Sequence, residues 1–243
     1  MQFSIVGPGR AGGSFAAALI SVGWTHVRTY GRSDDVRLAA QHVDLILLTV
    51  PDGVIATVAN LIEPDRAVLV HVAGSQTLDV LGAHERVGSV HPLMTLSDAS
   101  AGADRLLDNC AYAIAGDEIT RSMVDALGGR VFEVADEDRM GYHATAAVAS
   151  NHLTALVSQV ERMSAQAGLP ADAFHQLMRV SLENALDLGA EAAITGPASR
   201  GDWDTVRGHL SSLGEADRKL YLVLAAEAAG LAGQAPPEDI IPA

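Results

Sequence analysis

The stretch FSIVGPGRAGGSFAAALISV, Phe3 to Val22, places a β-branched apolar run directly before Gly7, Gly9 and Gly12 and an Ala-rich amphipathic run directly after them. Glycines spaced G-x-G-x-x-G between a strand and a helix are the arrangement that holds a dinucleotide pyrophosphate. Gly7 allows the tight turn, Gly9 the close approach of the pyrophosphate, and Gly12 the close packing of helix on strand. Arg10 and Ala11 open the helix, whose free amides and positive dipole end favour an anion.

Working outward, six more short apolar runs follow: His26 to Tyr30, Asp44 to Val50, Ala67 to His71, Val87 to His91, Cys110 to Ala115 and Val131 to Val134. They alternate with amphipathic or polar segments, which is the pattern of βαβ units. From about Asp138 the period changes to a helical one, with Leu153, Leu156, Val157, Val160 and Met163 recurring at that spacing. Further helices are expected over 170–188, 202–212 and 215–231, with Asp202 as an N-cap, and the Pro-rich tail from Gly233 is expected to be loose. The expectation is α/β: a doubly wound, mainly parallel Rossmann sheet over 1–137, then a smaller all-helical domain over 138–243.

Composition narrows the partners. The chain of 243 residues has 16 Lys and Arg against 30 Asp and Glu, a formal charge of −14. That balance argues against nucleic acid or an anionic membrane surface. No run suits a membrane span and the opening residues lack signal-peptide order, so a cytoplasmic location is expected. Cys110, the single cysteine, lies in an apolar run and reads as buried, and Lys219 is the single lysine. No Cys cluster, His-Glu-x-x-His motif or nucleophile elbow is present, so no metal is expected.

The end of the second strand carries the choice of cofactor. A carboxylate for the ribose 2′-hydroxyl is expected about 20 residues past the glycines. Thr29 to Ser33 contains none, and Arg32 with Ser33 offers a guanidinium and a hydroxyl suited to a 2′-phosphate, so NADP(H) is the expected cofactor. Val50 and Pro51, closing the third strand, are placed against it, while Asp52 reads as an N-cap.

For the chemistry, strand ends deliver His71 and His91 to the same edge, and Ser75 follows in a loop. Tyr142, His143, Ser150 and Asn151 form polar interruptions of an Ala- and Val-rich run. With regular α-helical phase, His143 and Ser150 share a face and Asn151 lies near it. These residues serve either a reaction or interhelical hydrogen bonds. Arg200, in a loop with two glycines and a proline, is suited either to a substrate carboxylate or to bracing a helix end.

The blocks GPGRAGGS (7–14), YGRS (30–33), LLTVPDGVI (47–55), HVAGSQTLDVL (71–81), GSVHPLMTLSD (88–98), YHATAAVASNHLTAL (142–156) and TGPASRGD (195–202) span nearly the whole chain. Together they resemble a Rossmann-like family with a helical C-terminal domain once known only as of unknown function. The resemblance implies an NADP-dependent reductase related to the β-hydroxyacid dehydrogenases, among which are alternative ketopantoate reductases. In that superfamily a catalytic lysine stands four residues before an asparagine on the interdomain helix. Counted back from Asn151, this chain has Ala147 there.

The expected reaction is therefore reduction of a small anionic 2-oxo acid by NADPH. His143, then His91, is the proton donor, Asn151 orients the carbonyl, and Arg200, Ser75 and Ser150 bind substrate. Imine reduction and cofactor binding without catalysis are the competing readings. A homodimer is expected, because the helical part has more apolar faces than it can bury alone.

Overall fold

The computed structural model describes residues 1–82 and 84–241. Seven strands form one sheet in the order β2-β1-β3-β4-β5-β6-β7. They are β1 (Gln2–Val6), β2 (Thr25–Tyr30), β3 (Leu45–Leu48), β4 (Val68–His71), β5 (Val87–Pro92), β6 (Ala111–Gly116) and β7 (Arg130–Glu133). Every neighbouring pair is parallel except β5 and β6. All seven runs read from the sequence are strands, with ends shifted by up to two residues.

Helices cover both faces. On one side α1 (Arg10–Ser21), α3 (Ala99–Leu107) and α4 (Ile119–Ala126) bury Phe15, Leu19, Leu106 and Met123 against Phe3, Ile5, Val70 and Val90. On the other, Val36, Ala39, Ile55 of α2 (Ile55–Leu61) and Leu81 pack on Val6, Ile46, Leu48 and Leu69. Strand residues two apart therefore face the same layer, as the pleat requires. Cys110 is buried in the first layer.

The chain forms two compact units, Met1–Ser150 and Asn151–Ala243. The division falls later than the change of sequence period near residue 138. The physical reason is α5 (Arg139–Ala147): fully buried Arg139 donates to Ser89 of β5, holding the helix on the sheet. The helical run is also not one regular α-helix, because Val148–His152 adopts a π-turn. That turn breaks the α-helical phase on which a shared face for His143, Ser150 and Asn151 was based, and such turns recur at functional sites.

The second unit holds α6 (Leu153–Gln166), α7 (His175–Leu188), α8 (Ala190–Ala193), α9 (Trp203–Ser212) and α10 (Glu215–Leu231). Residues 171–174, expected within a helix from Pro170, form a separate 3₁₀ turn. Buried Asp217 of α10 pairs with Arg162 of α6 at 2.6 Å, and Gln159 donates to its carbonyl at 3.0 Å. The tail is pinned rather than loose: Ile240 is buried with Val206, Ala225 and Ala229, and Asp239 pairs with Arg207. Pro242 and Ala243, the last two residues of that tail, lie outside the described residues. No described helix is long and apolar enough to cross a membrane.

Asp202 caps α9 as expected, its carboxylate accepting from the Thr205 amide at 3.2 Å and the Thr205 hydroxyl at 2.8 Å. Asp202→Ala should cost about 1 kcal/mol. Thermal unfolding should show the loss as a Tm lower by about 2–4 °C.

Candidate active site

Strands β1, β3, β4 and β5 are parallel neighbours, so their carboxyl ends meet along one edge. Ligands of open α/β sheets bind at such an edge where the strand order reverses, here between β1 and β3. The glycine loop leaves β1 at that point. Gly7 has φ +111°, and a Cβ there would lie 2.8 Å from the Thr49 backbone. Its amide donates to Tyr30 O at 2.9 Å, and the Thr49 hydroxyl donates to Gly7 O at 2.6 Å, so the ends of β2 and β3 hold the turn.

The other two glycines divide the remaining work. A Cβ on Gly12 would meet Gly7 O at 2.1 Å, so only glycine lets α1 start this close to the turn. A Cβ on Gly9 would meet nothing within 4 Å. Gly9 therefore faces open space at the start of α1, whose first turn contains neither a side-chain cap nor an acidic residue. That space and the amide donors beside it fit a pyrophosphate, with Arg10 and Ala11 in the first turn.

The turn after β2 has its carboxylates engaged. Asp34 accepts from the Gly31 amide at 2.6 Å and pairs with Arg28 at 3.3 Å; Asp35 pairs with Arg37 at 2.7 Å. Arg37 holds the Asp35 carboxyl down at about 2. Arg32 and Ser33 are exposed, and Arg32 has no ion-pair partner among the described residues. This arrangement suits an added phosphate better than a bare ribose diol. Val50 is half-buried and Pro51 exposed at the end of β3.

Asp52 does not cap the turn that follows, which has Pro51 at its N-cap and no side-chain cap. Its carboxylate instead accepts from the Ser75 hydroxyl at 3.0 Å, tying the loop after β3 to the loop after β4. A cap and a cross-loop acceptor look alike in sequence, because both need a short carboxylate after a proline.

His71 and Ser89 are register partners on β4 and β5, and His91 lies two residues beyond Ser89. All three face away from the layer containing Val70 and Val90. The α5 helix supplies the other half of this cluster. Arg139 donates to Ser89 and, at 3.0 Å, to Asp136; the Tyr142 hydroxyl lies 2.5 Å from His91 Nδ1. The His143 and His91 rings meet edge-on with centroids 5.9 Å apart. Gly74 closes the group, since a Cβ there would stand 2.9 Å from His91 Nε2 and 2.7 Å from His143 Cδ2.

Burial, with Arg139 adding to it, pushes His71 down to about 4. Burial, with His143 adding to it, does the same for His91. Burial raises Tyr142 to about 12. At neutral pH both histidines are uncharged and the tyrosine keeps its proton.

Of the sequence-predicted residues, the first unit thus places His91, His143 and Ser75 along the same sheet edge as the glycine loop. Ser150 closes that unit. Asn151 is exposed at the start of the second unit. Arg200 ends a 3₁₀ turn there, exposed, and helps hold the Asp202 carboxyl below its usual range after the larger effect of the Thr205 hydrogen bonds. Sequence reasoning did not single out Arg139, and saw Tyr142 only as part of a polar stripe. The i, i+3 spacing of Asp136 and Arg139 was the one available signal. Among the described residues no three His, Cys, Asp or Glu side chains are grouped to hold a metal ion.

These features define a Rossmann-type α/β protein with a histidine and tyrosine cluster at the same sheet edge as its glycine loop. Residues 111–228, just under half the chain, match the family model of a domain of unknown function, DUF2520. No curated protein matches the sequence. In fold the chain is similar to a candidate NADP oxidoreductase from Bacteroides fragilis, with TM-score 0.80 and 20% identity over 94% of this chain and 98% of that one. It is also similar to a Thermotoga maritima protein, with TM-score 0.74 and 22% identity over 95% and 98%. A Plasmodium falciparum pyrroline carboxylate reductase with NADP bound gives TM-score 0.61 and 11% identity over 96% and 98%. At these identities the likeness is one of fold.

Proposed function

We propose that this protein is an NADPH-dependent reductase of a small 2-oxo acid, with ketopantoate as the acceptor and pantoate as the product. The observation that carries the reading is the three-way division of the glycine loop, with Gly9 alone facing open space. Gly7, Gly9, Arg10, Ala11 and Gly12 hold the pyrophosphate, Arg32 and Ser33 the 2′-phosphate, and Val50 and Pro51 pack on the cofactor.

NADPH, when bound, supplies the hydride. His143 gives a proton to the carbonyl oxygen as it gains charge and recovers one from solvent; such a group is worth about 10²- to 10⁴-fold in rate. His91, uncharged at neutral pH, is the second candidate for this role. We assign Arg200 to the substrate carboxylate, Asn151 to the carbonyl, and Ser75 and Ser150 to the remaining polar groups. Ala147 in the lysine position is the reason the proton comes from a histidine.

NADPH oxidation should be faster with ketopantoate than NADH oxidation, and Arg32→Ala should narrow that preference by about tenfold, the loss of one charge-assisted contact. NADPH binding without turnover of ketopantoate would discard the substrate. The fold shared with a pyrroline carboxylate reductase makes a cyclic imine the second acceptor to assay. No turnover of either would leave a cofactor-binding module.

We also propose a homodimer. The α7 helix has no buried residue, and Leu177, Leu186 and Leu188 on it are more than 60% exposed. Leu177 and Leu188 lie on one side of this helix and Leu186 about 180° from them, so it is apolar on two sides, and a second copy of the chain is the occupant that fits apolar surface of this extent. Light scattering on the eluting protein should give twice the mass of 25.3 kDa.

A further inference from the structure

We infer that Tyr142 is a positioning residue that acts through His91, fixing the imidazole as the tautomer with its proton on Nε2. The catalytic consequence rests on the reductase reading above; the tautomer itself does not. Tyr142 reaches Nδ1 at 2.5 Å, and of the two directions this bond can take, phenol O–H to Nδ1 or Nδ1–H to the phenol oxygen, the first is favoured because a phenol is a stronger acid than a neutral imidazole N–H. In a neutral ring, accepting at Nδ1 leaves the proton on Nε2.

Three further observations give this bond a defined geometry. The two rings stand at 90° with centroids 5.6 Å apart, so the hydroxyl meets the imidazole edge-on. One turn earlier on α5, Arg139 is anchored to Ser89, two residues before His91 on β5. Residues three apart on the helix are thereby matched to residues two apart on the strand, and α5 cannot slide without breaking both contacts. On the far side of the ring, glycine at 74 keeps the Nε2 edge clear of the side chain that any other residue at that position would bring within 2.9 Å.

An Nε2–H held in this way is a hydrogen-bond donor at the carboxyl edge of β5. It can polarise an acceptor carbonyl or imine without giving up its proton, while the proton itself comes from His143. A neutral imidazole is suited to that role because it adds no charge that must be neutralised before the acceptor binds.

The test is nitrogen-15 NMR of the histidine rings in the full-length protein at neutral pH, with the His91 signals assigned by loss in His91→Gln. The expected result is a pyridine-type Nδ1 and a protonated Nε2 in the wild type, and a tautomer mixture in Tyr142→Phe. A wild-type ring protonated on Nδ1, or an unchanged tautomer in Tyr142→Phe, would overturn the inference. If Tyr142→Phe unfolds, the wild-type spectrum alone decides. With an active acceptor, Tyr142→Phe should lower kcat about tenfold or more while leaving the KM for NADPH unchanged. An unchanged kcat beside an altered tautomer would remove the positioning role. Failure to oxidise NADPH with any acceptor would instead count against the reductase reading and leave the tautomer result standing.

Discussion

Replacing Gly12 by alanine should abolish cofactor binding and destabilise the first unit, whereas replacing Gly9 should abolish or weaken cofactor binding alone. The two glycines are three residues apart in one loop, yet they meet different surroundings. An alanine Cβ at 12 would sit 2.1 Å from the Gly7 carbonyl oxygen and 2.7 Å from Thr49 Oγ1. The first of these is backbone held by the Thr49 hydroxyl, so relief requires moving the start of α1 away from β1. Overpacking of this kind costs about 1–3 kcal/mol, a Tm lower by roughly 2–12 °C for a chain of this size.

Gly9 has φ −75° and ψ −172°, backbone that any residue adopts, and its Cβ position is empty. Gly9→Ala should therefore melt with the wild type. Its methyl group would occupy the approach of the pyrophosphate, and NADPH affinity, read by fluorescence titration, should fall at least about tenfold, or 1.4 kcal/mol. Unchanged affinity in a normally folded Gly9→Ala protein would remove the loop from the cofactor site.

Acidification from pH 6.5 to pH 4 should destabilise the first unit through its buried histidines. His71 and His91 both titrate at about 4 in the folded chain against 6.5 when unfolded. Over that window the unfolded state binds the additional protons, so stability is fully present above 6.5 and is lost as pH falls towards 4. The groups around His71 set its direction: burial and Arg139 lower it, while the Thr77 carbonyl, Asp52 and Asp136 oppose them. Around His91, burial, His143 and Arg139 lower it against Asp52.

At 1.36 kcal/mol per unit, the fully buried His71 contributes about 3 kcal/mol and the partly exposed His91 less. Asp35, Asp202 and Asp239 are held below their ordinary value of 3.8, so their contribution is lost only under about pH 4. Thermal melts at half-unit steps should show Tm falling through the histidine window. His71→Gln should flatten that slope by more than half. A flat profile between 6.5 and 4.5 would show that His71 and His91 are charged in the folded state at no cost.

Legibility followed the range of the interactions involved. The inner strands β1, β3, β4 and β5 were readable because each buries β-branched or leucine side chains whatever else the chain does, the largely exposed edge strands β2 and β7 by their β-branched and aromatic residues alone, and the glycine loop because its spacing encodes local sterics. Asp202 was readable as a cap because its partner is three residues away. Asp52 was misread because its partner, Ser75, is on another loop. The π-turn at Val148–His152 was invisible, since no residue in it is excluded from an α-helix.

The sequence by itself thus determined a doubly wound sheet, its glycine loop and an Arg32-bearing turn beside it, all consequences of hydrophobic period and backbone sterics that act within about 30 residues. Only the tertiary structure decided that Arg139 is buried, that Tyr142 meets His91 from 51 positions away, and that Gly74 lies against both histidines. The physical reason is that a side chain's protonation state and partner depend on which element is packed over it. That packing arises from contacts between β5 and α5, to which neither segment's own pattern is a guide.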